Sequence, residues 1–441
     1  MDLSPDLRSG LAPSVPGGSR SPNSRLDPYG VYGTRSAQRW HIARRRRKWQ
    51  RNLSVALAVA ALLLLLNWWL RPRVPAGAAQ WSRELNLVPV AISTPLGPDS
   101  MLVAGGDGGL WRVGLGPAGT DVPVFTGAFP LQASPAVAGN VAFVPCQDGA
   151  LYAVDFNQAR TLWSHPSSAP LTSTPLAATW PVAPTGTGVA ENAIIMANDV
   201  GQVAALSAAN GAPLWTTWLG APAGNGMSFA GKVRPRVYVP VLSGELSQGG
   251  LACLDARTGA TLWRFPADPH QFGAALAPPA VATDASGEPS RVYFATDDGM
   301  VYALDANSGA IIWKQSVDSV AGPKSDLLVS LRGAPVLVNS EVIAGGNDGG
   351  VRALDAGTGH VIWTYNTGAP VRLAVQSGAI GQQDAVVVAP DEPELWALDV
   401  RTGAPIREWH SQASPVGFAL QNDGIVVVGS GGTLQILARG N

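Results

Sequence analysis

The sequence predicts an all-β fold: an eight-bladed β-propeller of four-stranded antiparallel blades, preceded by a disordered N-terminal tail and one transmembrane helix. Three observations predict it. A thirteen-residue hairpin recurs along the chain, its closing aromatic returns every 38–52 residues, and an uncharged apolar run precedes the first copy.

The hairpin is clearest at Val301-Tyr-Ala-Leu-Asp-Ala-Asn-Ser-Gly-Ala-Ile-Ile-Trp313, just after Asp298-Gly299. Its first five residues read as a strand, with Tyr302 and Leu304 on one face and Val301, Ala303 and Asp305 on the other. Asp305 to Gly309 reads as a turn. The Asp carboxylate bonds nearby backbone N–H groups, and Gly takes positive φ without a Cβ clash. Ala310 to Trp313 then begins the returning strand. Further copies run over Leu151–Trp163, Val203–Trp215, Leu251–Trp263 and Val351–Trp363. Leu395 to Trp409 holds two extra residues, which keeps its Trp on the same strand face. Leu110 to Phe125 is degenerate, and Leu434 to Ala438 runs out of chain before its aromatic.

The anchors are Trp81, Phe125, Trp163, Trp215, Trp263, Trp313, Trp363 and Trp409, spaced by 44, 38, 52, 48, 50, 50 and 46 residues. Such a period, built from short strands, marks a propeller. Gln80-Trp81-Ser82 is expected to supply the outer strand that the last copy lacks, which leaves no unpaired edge between the first and last blades. The structural turn residues are Asp155, Asp255, Asp305, Asp355 and Asp399, with Gly259, Gly309, Gly359 and Gly403. A small residue stands two places before each turn Asp: Ala153, Ala205 (before Ser207), Cys253, Ala303, Ala353 and Ala397. It leaves room for the anchor Trp. The innermost strands are expected in segments such as Leu131–Val137, Leu171–Leu176, Ala277–Val281 and Ser330–Val336.

The pattern Asp/Asn-Gly-x-Val/Leu-Tyr-Ala-Leu-Asp-x-x-Thr/Ser-Gly-x-x-x-Trp resembles the repeat of the pyrroloquinoline quinone (PQQ)-like propeller superfamily, over roughly residues 80–441. That superfamily includes quinoprotein dehydrogenases and non-catalytic propellers, such as the lipoprotein of the bacterial outer-membrane β-barrel assembly machinery. A dehydrogenase of this kind holds PQQ between a Trp floor and a disulfide of adjacent cysteines, with a calcium ion and an Asp base. Here Cys146 and Cys253 are isolated and fall in different repeats, too far apart to bridge. The resemblance therefore implies the fold, with PQQ and calcium as the alternative to a cofactor-free protein.

Composition places the remainder. Residues 1–73 hold 13 Lys and Arg against 3 Asp and Glu, whereas the rest hold 17 against 28. An acidic body argues against a nucleic-acid partner. Residues 1–51 are expected to be a disordered, basic cytoplasmic tail, rich in Pro, Ser, Gly and Arg. Residues 52–70 hold Leu53 to Leu70, eighteen residues without a charge, long enough to span a bilayer core as a helix. The cluster Arg44–Lys48 before it and Trp68-Trp69 at its far end orient it as a signal anchor, N-terminus inside. A cleaved signal peptide ending near Ala76-Gly77-Ala78 is the competing reading. Residues 71–79 read as a linker and 80–441 as the propeller.

Other constellations are weak. Asp297-Asp298 and Asn347-Asp348 lack the spaced ligand series of a calcium loop and read as turns. His41, His165, His270, His360 and His410 show no metal-ligand spacing, and His270, near Asp268 in a long loop, is the one worth testing. Trp111, Trp180, Trp218 and Trp396 lie outside the anchor series. No catalytic, cofactor or metal residue is assigned. The expected function is a membrane-anchored extracytoplasmic scaffold that binds a protein or peptide through a face or rim, in envelope protein assembly. The alternative is an oxidoreductase or sensor binding PQQ or another small ligand. The longest loops, around Pro181–Asn192, Ala221–Arg234 and Pro266–Pro279, are the first places to seek a partner surface.

Overall fold

The computed structural model describes residues 76–439 except 78, 182–189, 245–246, 267–272, 318–328, 374, 382 and 422–423. The predicted tail, the transmembrane helix, His41, and His270 with Asp268 lie outside the described residues. Among those described there is no helix, hence none long and apolar enough to cross a membrane.

The middle strands are mostly apolar because both of their faces are covered, with a few buried polar residues such as Arg236, Arg352 and Gln435. Gly424–Gly429 (GIVVVG) is buried at every position, whereas the outer strand Val361–Asn366 alternates, with Trp363 inward. The strands form eight sheets. Each is an antiparallel meander of four strands, and the seventh carries a fifth. From blade 2 to blade 8 the innermost strands of successive sheets lie side by side, and that of blade 1 (Pro89–Ile92) lies beside that of blade 8 (Pro415–Leu420).

Closure occurs as predicted. The N-terminal strand Ala79–Glu84 pairs antiparallel with Thr433–Ala438, placing Trp81 opposite Ile436. One feature was not expected. Within the segment read as linker, Ala76–Gly77 pairs parallel with the outer strand of blade 7, Gly77 opposite Trp409. The inner strands also begin later than predicted, at Ala136, Leu176, Ala280 and Val336. The preceding residue is in each case the proline, Pro135, Pro175, Pro279 or Pro335, which disfavours helix before it and suits a strand start. The earlier residues are connections whose Leu131, Leu171 and Leu331 plug into the core. Pro181–Asn192, expected as one of the longest loops, joins two strands within blade 3, and its ends Pro181 and Ala190–Asn192 belong to those strands.

Eight apolar clusters fill the spaces between successive blades, and each anchor aromatic belongs to the cluster between its own blade and the next. Trp163, Trp215, Trp263, Trp313 and Trp363 stand opposite the small residues Ala153, Ala205, Cys253, Ala303 and Ala353, as the packing argument requires. Trp409 differs: it faces Leu395, and Arg407 takes the place opposite Ala397. The two extra residues moved it along the same face.

Trp→Ala at a buried anchor such as Trp313 is expected to cost about 3–5 kcal/mol, read by urea unfolding. At Gly77 an added Cβ would lie 1.9 Å from the Trp409 indole nitrogen, so Gly77→Val is expected to destabilise the ring by about 1–3 kcal/mol. Gly431→Ala, where the new carbon meets nothing within 4 Å, is expected to leave the unfolding midpoint unchanged.

Candidate functional site

The repeat residues act first on the ring itself. The Asp305 carboxylate accepts the N–H groups of Asn307 (3.1 Å) and Ser308 (2.8 Å) and the Ser308 hydroxyl (2.8 Å). Asp155, Asp255, Asp355 and Asp399 hold their turns in the same way. Gly259, Gly309, Gly359 and Gly403 all have positive φ, as expected. They have a second role that local reading missed. A Cβ on any of them would strike the anchor Trp of the preceding blade, 2.5–2.7 Å from its ring. The same indoles donate Nε1–H into the next blade: Trp215 to Ala256 O (2.8 Å), Trp263 to Ala306 O (3.1 Å), Trp313 to Ala356 O (3.0 Å) and Trp363 to Val400 O (2.7 Å). Where Phe125 replaces the anchor, the next turn has Ala159 in place of Gly, at φ 51°. Phe125 packs instead on Tyr152, with centroids 4.9 Å apart.

Two blades add donors to the same carbonyls. Arg236 and Tyr238 join Trp263 on Ala306 O, and Arg291 and Tyr293 join Trp313 on Ala356 O. Blade 6 has Glu341 at the equivalent register, opposite Asp355. Burial raises its carboxyl above the ordinary range, and its Oε2 has no hydrogen-bond partner. Glu288 does the reverse. Burial alone would raise it, but bonds from the N–H groups of Val233, Arg234 and Lys232 outweigh that and lower it.

A cavity of about 520 Å³ runs along the inner strands of blades 1, 7 and 8. Gln376 braces its wall, donating Nε2–H to Phe418 O (2.7 Å) and accepting from Leu420 N. Ser93, Thr94, Gln132, Ser134 and Asn225 supply its other polar side chains. Among the described residues its lining contains no charged side chain, histidine, cysteine or tryptophan. Such a wall suits a neutral, hydrogen-bonding guest. PQQ, a tricarboxylate, finds there no cation to neutralise it, no Trp floor, and no carboxylate for calcium.

The cysteines sit in separate cores, Cys146 between blades 1 and 2 and Cys253 between blades 4 and 5. Burial raises both thiols, that of Cys253 to about 12, so both are protonated at neutral pH. Asp297-Asp298 and Asn347-Asp348, read as turns, act as turns and staples. Asp297 accepts Ala274 N (2.7 Å), Asn347 accepts Ser330 N (2.7 Å), Asp298 accepts from Thr296 and Gly273, and Asp348 pairs with Arg352 inside the protein. His360 is exposed at its turn. His410 meets Glu394 (3.9 Å) and Glu408 (3.6 Å) on the rim of blade 7, a grouping made by cross-strand register that linear spacing could not reveal. It is a surface ion cluster with no buried ligand. Of the extra tryptophans, Trp180 and Trp396 are core, Trp111 is half-buried, and Trp218 is exposed.

Fold and repeat together define a β-propeller, and its repeat is similar to that of the PQQ-like superfamily. The family model described as outer membrane protein assembly factor BamB matches residues 247–440. The chain is 27% identical over 255 residues to the outer membrane protein assembly factor BamB of Moranella endobia, covering 55% of this chain and 59% of that one. It is 33% identical over 112 residues to the quinohemoprotein alcohol dehydrogenase ADH IIB of Pseudomonas putida, covering 25% of this chain and 16% of the enzyme. It thus spans less than two thirds of either relative. Saccharomyces cerevisiae Sqt1 shares the fold, with a TM-score of 0.66 at 11% identity over 83% of this chain and all of that one.

Asp305 and Asp355 are held below the ordinary carboxylate range. For Asp305 burial opposes this and the Ser308 bonds win; for Asp355 the Thr358 hydroxyl is the leading cause. Lowered carboxylates stabilise the fold above the unfolded pKa of about 4, and that contribution disappears as pH falls through the folded value. The melting temperature is therefore expected to fall below about pH 4, and more shallowly in the Asp305→Asn/Asp355→Asn double variant. Both thiols are expected to resist alkylation at neutral pH until urea unfolds the ring, checked by mass spectrometry.

Proposed function

We propose that this chain is a membrane-tethered, extracytoplasmic propeller that binds protein without catalysing a reaction, in the assembly of outer-membrane proteins. The observation that carries the reading is the cavity along the inner strands, whose described lining offers a quinone cofactor and its metal no charged side chain, histidine or tryptophan. The longer of the two matched relatives in alignment, the assembly factor, points the same way. The tether is the apolar run before the propeller, with its basic flank on the cytoplasmic side. The second reading, a quinoprotein-type oxidoreductase, draws support from the shorter match to the dehydrogenase.

One experiment separates them. Purified full-length protein in detergent, given PQQ and calcium, is expected to gain no bound quinone absorbance and no dye-linked alcohol oxidation. Either signal would overturn the scaffold reading. In parallel, photo-crosslinking in the native membrane is expected to trap an envelope protein. Failure to trap any protein from several faces would count against protein binding.

A further inference from the structure

The outer strand of a blade is an open edge, and open edges pair with other strands unless something blocks them. Seven of the eight outer strands carry a block, a proline or a charged residue. Blades 1 to 3 have Pro123, Arg160 and Pro213. Blades 4, 5 and 8 have Arg264, Lys314 and Arg83. Blade 7 has Glu408 and is also covered by Ala76–Gly77.

Blade 6 is the exception. Its outer strand Val361–Asn366 reads Val-Ile-Trp-Thr-Tyr-Asn, with no charge and no proline. Val361 and Ile362 are 44% and 46% exposed, and among the described residues the strand pairs on one side only. Short β-branched, uncharged stretches are those that accept an added strand most readily. Blade 7, the next in the ring, shows that this scaffold takes one even on an outer strand that carries Glu408: there the chain's own Ala76–Gly77 adds as a fifth strand.

We propose that Val361–Asn366 is a docking edge, to which an extended, β-branched, uncharged or basic segment of a client polypeptide adds as the fifth strand of blade 6. This is the chemistry of an unpaired β-barrel strand, and the inference rests on the protein-binding reading above. A second copy is the poorer occupant. Residues 74–441 hold 17 Lys and Arg against 28 Asp and Glu, so edge-to-edge pairing brings two acidic bodies together.

The test uses full-length protein in detergent and a fluorescent peptide of Val-Thr repeats flanked by lysines. The peptide is expected to bind saturably, and Ile362→Lys to weaken binding about tenfold without lowering the melting temperature. Leu262→Lys, at the equivalent exposed position of blade 4, is expected to leave binding unchanged. Binding indifferent to Ile362→Lys, or equally weakened by Leu262→Lys, overturns the proposal. So does a wild-type dimer that Ile362→Lys converts to monomer while peptide binding persists. If the peptide fails but membrane crosslinking still traps a protein at another face, this edge assignment falls alone. If both fail, the protein-binding reading falls with it.

Discussion

Everything in this ring depends on one indole seated in the next blade. Trp313 illustrates the contact: its ring lies where Gly359 has no side chain, and its Nε1–H meets the carbonyl of Ala356. A buried indole N–H needs an acceptor, and a buried carbonyl needs a donor, so each satisfies the other where water is excluded. The glycine is therefore constrained twice, by turn geometry within its own hairpin and by the preceding blade. Ala159 is consistent with this. It is tolerated in the one hairpin turn whose preceding anchor is Phe125, which packs elsewhere.

At the seam the same requirement is met by different residues. Blade 8 takes its outer strand from the N-terminal segment, so it has no hairpin turn to receive Trp409. Gly77 supplies the missing surface, and Ala438 O accepts the indole N–H at 2.8 Å. On the other side Arg83 reaches into blade 1, bonding Gly114 O and both Asp121 carboxylate oxygens. Cooperativity around the ring thus passes through a joint held by a charged pair and a short parallel strand.

What was legible in the sequence was whatever repeats. The period, the turns, the anchors and the closure by Trp81 are local patterns copied many times. The uses of Gly77, Glu288 and Arg236 were not legible, because each depends on a partner that only the closed ring brings near. The inner strands were misplaced for a related reason. Leu131 and Leu171 look like strand residues by hydrophobicity, yet they are buried by packing in a connection, and the proline after them sets where pairing begins. At the axial cavity the sequence said only that cysteine chemistry was absent; the neutrality of the wall required the inner strands to be placed.

A ring held by repeated contacts has a consequence for where function resides. Residues that obey the repeat have their polar groups committed to neighbours: the Asp to its turn, the Trp to the next carbonyl, the Gly to the indole. They are poorly placed to serve a partner. Departures from the repeat are less committed. Glu341 stands where two other blades have arginine and leaves an oxygen unmatched, while blade 6 also carries the buried Arg352–Asp348 pair and the uncharged outer strand. Three departures in one blade are hard to attribute to ring stability, since the neighbouring blades achieve the same closure without them. Blade 6 therefore keeps the repeat's hairpin and anchor while departing from it in these three places, and the exposed one is the strand at its rim.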